Sequence, residues 1–176
     1  MKRGTLSLLI GAHQFIVHPI AVTIAWRKLY GRWPDLSELV CIGVHDWGYW
    51  GCSDMDGPEG IKHPELGSDI ANKLFGTAYC TLCYYHSRFL AKRDKQKPSK
   101  LCWADKLGTA ITPWWLYLPG AWLSGELEEY RWQAAQYHAE TGNGIMMSST
   151  NREWFQWMTA HLRKVALQRK EADWNR

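Results

Sequence analysis

Six residues stand out for chemistry: His18, the adjacent pair His45 and Asp46, His63, His86 and Asp105. Four imidazoles and two carboxylates form a nitrogen and oxygen donor set. It suits iron, manganese, cobalt, nickel or zinc and is too rich in nitrogen for a calcium or purely magnesium site. Any one of these histidines taken singly reads as a packed or surface side chain. Their order, and their position at or inside helical segments, makes them candidates as a set.

The segments that would position them are helical. Apolar residues recur at helical spacing from Pro19 to Tyr30, with proline suited to a first turn and Gly31 to a stop. Asp35 with Glu38 three residues on has the form of a capping box, and the apolar stripe of Leu36, Leu39, Val40, Gly43 and Val44 runs from it to His45. The stretch WGYWGCSDMDGPEGIK is rich in Gly and Asp and reads as a loop, an active-site wall or lid. A helix opens at His63-Pro64 and stops at Gly76; another is expected from Thr77 to about Ala91, carrying His86. A basic loop, KRDKQKPSK, precedes a helix from Leu101 to Thr109 that carries Asp105. After the Pro-interrupted apolar stretch Ile111 to Leu123, two longer amphipathic helices are expected, Leu123 to about His138 and Asn151 to about Lys170. No stretch alternates as a strand would, and there is no internal repeat, so the expected class is all-α.

The order H, HD, H, H, D resembles the HD superfamily of metal-dependent phosphohydrolases, in particular its dinuclear branch. HPIAVTIA is similar to the family's first-helix motif and ELVCIGVHDWG to its apolar helix ending in HD with a Gly soon after. KHPELGSDIA resembles the branch's next helix, in which a small residue four positions after the His lets helices approach. YYHSRF resembles the segment of the second extra His, and CWADKLG the closing ADxL segment.

The resemblance covers roughly residues 13 to 110. The chain's length points to one domain over 1–176; the resemblance implies an HD-type metal-site core at 13–110 and leaves 111–176 unassigned, which reads as a C-terminal helical extension. It further implies two divalent transition metal ions, iron or manganese first, with cobalt, nickel or zinc as alternatives. Asp46, with two oxygens, would bridge; His18, His45 and Asp105 would complete one ion, and His63 and His86 would hold the other. His18 is preferred to His13 as first ligand because Pro19 fixes the helix start beside it, though each histidine has Val four positions on.

The implied activity is hydrolysis of a nucleotide or small phosphate ester by a metal-bound hydroxide whose pKa the ions lower toward ~7. His45 and Asp46 lie at its centre, with Arg88 and Lys106 as candidate phosphate cations beside His86 and Asp105. The same ligand set also suits a di-iron oxygenase acting on a phosphonate or polyol, or a nucleotide-binding module without turnover. After the HD pair many relatives carry Lys or Glu, whereas this chain has Trp47, Gly48 and Tyr49, so no general acid for the leaving group is identified.

The remaining composition bounds the partners. A net charge of +4 without long basic runs does not demand nucleic acid, and the basic loop (Lys92, Arg93, Lys95, Lys97, Lys100) reads as solvated linker. The longest apolar stretch is too short and too broken by proline for a bilayer. Without an export signal, and with five cysteines in no secreted framework, a cytoplasmic setting with reduced thiols is expected, the Cys80/Cys83 pair included. The 12 tryptophans read first as core and subunit-interface packing. Tyr49, Trp50, Trp103 and Trp114 are candidate surfaces for a base, and PWWLYLPGAWL is a candidate self-association segment. Asp54, Asp56 and Glu59 lack calcium-loop spacing, and His138 and His161 are expected at the surface of the last helices. The expected partner is therefore a small phosphate-bearing molecule, with neither nucleic acid nor membrane required.

Overall fold

Helix ends in this chain follow its capping chemistry. A computed structural model describes residues 1–172, with side-chain surroundings through residue 170. The helices are α1 (Arg3–Ile10), α2 (Val17–Tyr30), α3 (Leu36–Val44), α4 (Pro58–Ile61), α5 (Pro64–Phe75), α6 (Thr77–Tyr84), α7 (Arg88–Arg93), α8 (Lys100–Ile111), α9 (Trp114–Leu123), α10 (Glu126–Thr141) and α11 (Asn151–Ala172). A 3₁₀ turn covers Trp47–Tyr49. No strand occurs among the described residues, and the class is all-α. Residues 173–176 of the expected extension lie outside them.

The capping box before α3 forms as read: Asp35 Oδ1 accepts from Glu38 N and Glu38 Oε2 from Asp35 N, both at 2.8 Å. Arg32 clamps the same Glu38 carboxylate through both guanidinium arms, at 2.6 and 2.5 Å. Gly31 ends α2 in the left-handed conformation (φ 71°). Pro64 opens α5, where its missing N–H is no loss.

The main core gathers Trp26, Leu29, Ile42, Leu101, Trp103 and Leu107 from α2, α3 and α8, closed by Ala166 of α11. A second cluster joins Tyr117, Ala121, Leu127, Trp154, Phe155 and Met158 of α9 to α11, and Leu162 packs against both. The C-terminal third thus rests directly on α8, the helix that carries Asp105.

Two expectations change. The helix expected from Thr77 to Ala91 is two, broken at Tyr85 and His86. The carbonyls that would continue it are taken by groups outside the ladder: Ser99 Oγ donates to Leu82 O (2.7 Å), His86 Nδ1 to Cys83 O (2.5 Å) and Ser99 N to Tyr85 O (2.9 Å). Lys92 and Arg93 then belong to α7 and Lys100 to α8, which shortens the basic loop. The Pro-interrupted apolar stretch is itself helical as α9, with Pro119 inside it; Tyr117 and Ala121 face the core while Trp115 and Trp122 are exposed. No described helix is long and apolar enough to cross a membrane.

Candidate metal centre

Five segments bring the six residues to one place. His18 lies in the first turn of α2, His45 caps α3 with Asp46 after it, His63 caps α5, His86 occupies the break between α6 and α7, and Asp105 projects from α8. His18, His45, Asp46, His63 and His86 are buried, and Asp105 is partly so.

Close backbone approach makes this possible. A Cβ on Gly67, four residues after His63, would lie 2.6 Å from Val44 O and 3.0 Å from His45 Cα. A Cβ on Gly48 would lie 2.1 Å from His63 O. Both distances are inside van der Waals contact, so only glycine lets α5 cross the end of α3 here.

The side chains form two groups that share Asp46. Oδ2 of Asp46 faces His45 Nε2 at 3.0 Å and His18 Nε2 at 3.4 Å, and His18 Nε2 lies 3.0 Å from Asp105 Oδ1. Oδ1 of Asp46 faces His86 Nε2 at 3.4 Å and His63 Nε2 at 3.7 Å. An ion ~2.1 Å from each donor would separate neighbouring ligand atoms by ~3.0 to 3.4 Å, so both groups have the spacing of coordination shells.

Hydrogen bonding fixes which nitrogens point inward. His45, His63 and His86 each place Nδ1 against the carbonyl of the residue three before, Ile42 (2.8 Å), Gly60 (2.6 Å) and Cys83 (2.5 Å). Each Nδ1–H is thereby spent on backbone, and each Nε2 keeps its lone pair for the centre. His18 Nε2, His45 Nε2 and Asp46 Oδ2 are buried and satisfy no hydrogen bond. His63 and His86 bring their Nε2 atoms to 3.0 Å of each other. Two facing lone pairs repel unless a cation stands before them, so the residues present fit metal ions.

The electrostatics agree. Burial alone would raise the Asp46 and Asp105 pKa values, but the imidazoles of His45 and His18 hold both well below the carboxylate range. Burial would lower those of His18 and His45, and the same carboxylates instead raise them, that of His45 strongly. Burial, with the neighbouring His86, pushes His63 down to about 3, so it stands as a neutral donor near neutrality.

A cavity of about 520 Å³ opens beside the centre, with Asp105 in its wall. Arg88 and Lys106 line it, as do Tyr117 and Tyr130, and Trp154 and Trp157 of α11. These aromatic walls come from the C-terminal third, and the surfaces named in the sequence lie elsewhere. Trp103 is in the core, Trp50 and Trp114 are exposed, and none of the three lines the cavity. Tyr49 stacks on His63 (4.1 Å, 12°), holding that ring rather than offering a free face. His161 is half-buried in the cavity wall, stacked on Trp157, instead of lying free on the surface.

The loop after the HD pair is pinned more than lid-like: Gly4 N donates to Cys52 O at 3.0 Å, and Leu8 packs with Tyr49, Cys52 and Met55. Its acids serve its own backbone, Asp54 accepting from Asp56 N and Gly57 N, and Glu59 from Ser53 N. Glu126 is a buried charged residue that sequence reasoning misses, since an acid in a first helical turn reads as an ordinary dipole partner.

No family model matches the chain, and no curated protein or solved structure matches it either, so the HD resemblance stands on the five sequence segments and on the His and Asp side chains they bring together.

Proposed function

We propose that the chain is a metal-dependent phosphohydrolase acting on a nucleotide or small phosphate ester. The observation that carries this reading is the division of Asp46, one oxygen toward each His group, beside a cavity with two cationic side chains in its wall. His18, His45, Asp46 and Asp105 would hold one divalent ion and Asp46, His63 and His86 the other. Two such ions, when bound, lower the pKa of water between them and neutralise phosphoryl oxygens.

The chain's own residues do the rest. Arg88 and Lys106 bind phosphate oxygens as the substrate enters, the guanidinium offering paired donors. The aromatic walls accept an apolar or planar group attached to the phosphate and displace water from the site. Three backbone carbonyls hold the ligating imidazoles against rotation.

The reading is tested by phosphate release from a panel of nucleotides and phosphomonoesters with manganese, iron, cobalt and magnesium, alongside Asp46→Ala. Metal-dependent release abolished in the variant supports it. Oxygen uptake on a phosphonate or polyol, with no phosphate released from any ester, would replace it by the di-iron oxygenase.

A further inference from the structure

Three tyrosines line the cavity beside Asp105, and their hydroxyls differ in what they already hold. Tyr130 OH donates to Glu126 Oε1 at 3.0 Å, the oxygen that also lies 3.1 Å from His13 Nδ1. Tyr137 is 38% exposed and so open to solvent. Tyr117, in the first turn of α9, is only 6% exposed, yet its hydroxyl makes no hydrogen bond among the described residues.

The Tyr117 ring is held in place. Trp154 and Phe155 of α11 pack on it, with ring centroids 6.4 and 5.4 Å away. The same side chain borders a narrow crevice shared with Val17 and His18, so it touches both the cavity and the neighbourhood of the first ligand. The indole N–H of Trp154 is likewise unpartnered but sealed in the core; the Tyr117 hydroxyl is not sealed, which leaves it the cavity to face.

A donor taken out of water without an acceptor costs its desolvation, so a hydroxyl of this kind marks where an acceptor is to be sought. The phenol has one proton to share. Arg88 and Lys106 in the same wall favour an anion. A phosphate ester brings both properties in one group, negative charge and several accepting oxygens.

We propose that the Tyr117 hydroxyl donates a hydrogen bond to a non-bridging phosphate oxygen of the substrate, alongside Arg88 and Lys106. This role rests on the hydrolase reading above. It makes Tyr117 a substrate-binding residue supplied by the C-terminal third, outside the segments that carry the resemblance. The phenol keeps its proton throughout, and no proton transfer is involved.

The test is Tyr117→Phe, which removes the hydroxyl and keeps a ring to pack on Trp154 and Phe155. On manganese-loaded protein, titration calorimetry with inorganic phosphate should give a Kd ~10- to 100-fold higher in the variant, the scale of one hydrogen bond to a charged group. Manganese content should match the wild type. Equal Kd values overturn the donor role; so does loss of manganese, which would place the hydroxyl's effect on the metal centre instead.

The second readout is kcat/KM on two esters that share the phosphate and differ in what it carries, 4-nitrophenyl phosphate and a nucleoside 5′-phosphate. The variant should lose ~10- to 100-fold on both. A loss confined to one ester puts the hydroxyl on the organic group and overturns the phosphate contact. Wild-type protein that binds phosphate but cleaves no ester contradicts the hydrolase reading, while the two Kd values still decide the Tyr117 contact. Wild-type protein that loads manganese and does neither overturns both.

Discussion

His86 places its Nε2 3.4 Å from Oδ1 of Asp46, the carboxylate oxygen turned away from His45. That relationship joins two His/Asp groups through one carboxylate, each proposed to hold one ion. His86→Ala should therefore remove one ion and leave the group of His18, His45, Asp46 and Asp105 able to hold the other. Metal analysis after reconstitution and gel filtration reads this directly; a variant that still carries two ions per chain would remove His86 from the ligand set.

Arg88 reaches the cavity wall, whereas Lys95 is exposed and does not line it. Removing a charged donor to phosphate costs ~1.5 to 3 kcal/mol, so Arg88→Ala should lower kcat/KM by about 10- to 100-fold. Lys95→Ala should leave it unchanged. Steady-state kinetics on a phosphomonoester decide between them, and equal effects would point to general charge instead of a directed contact.

The His13 and Glu126 pair sets a pH window for the metal-free protein. Burial opposes protonation of His13, but the charges of Asp46 and Glu126 raise its pKa from 6.5 to about 9. Burial would raise Glu126, yet the bond and charge of His13 lower it from 4.5 to about 2. The raised histidine stabilises fully below 6.5, and its contribution is lost as pH rises through about 9. The depressed carboxylate stabilises above 4.5, and its contribution is lost as pH falls toward about 2. The difference in Tm between wild type and Glu126→Gln should be widest between pH 4.5 and 6.5 and shrink on both sides. A difference that does not vary with pH contradicts the ion pair.

Gly67→Ala drives a methyl against Val44 O at 2.6 Å, backbone that cannot rotate away. Overpacking of this kind costs ~1 to 3 kcal/mol, and here it also pushes α5, with His63 at its cap, away from His45. Chemical denaturation should show the stability loss, and metal titration a weaker second site. Unchanged values for both would mean that α5 shifts freely.

Part of the centre is legible in the chain because His18, His45 and His63 each sit beside a local signal. Asp35 and Glu38 fix the start of α3, Pro19 and Pro64 mark the turns of His18 and His63, and Gly67 announces a close crossing. Pro19 favours His18 over His13 in the sequence, but the contact that turns His13 to Glu126, 113 positions away, has no local signal. The break at His86 depends on Ser99 reaching back to Leu82 and Tyr85, which no local pattern encodes. The cavity walls are equally invisible, since Tyr130, Trp154 and Trp157 read as ordinary amphipathic residues until α10 and α11 fold over α8.

The proposed sharing of Asp46 between two ions is the feature on which a double site would depend. Its most direct measurement is the metal content of wild type and Asp46→Ala after loading with manganese or iron under anaerobic conditions, with folding checked by circular dichroism. Two ions per chain in the wild type and loss of both in a folded Asp46→Ala is the expected result. Two ions kept by the variant, or none taken up by the wild type, would contradict it.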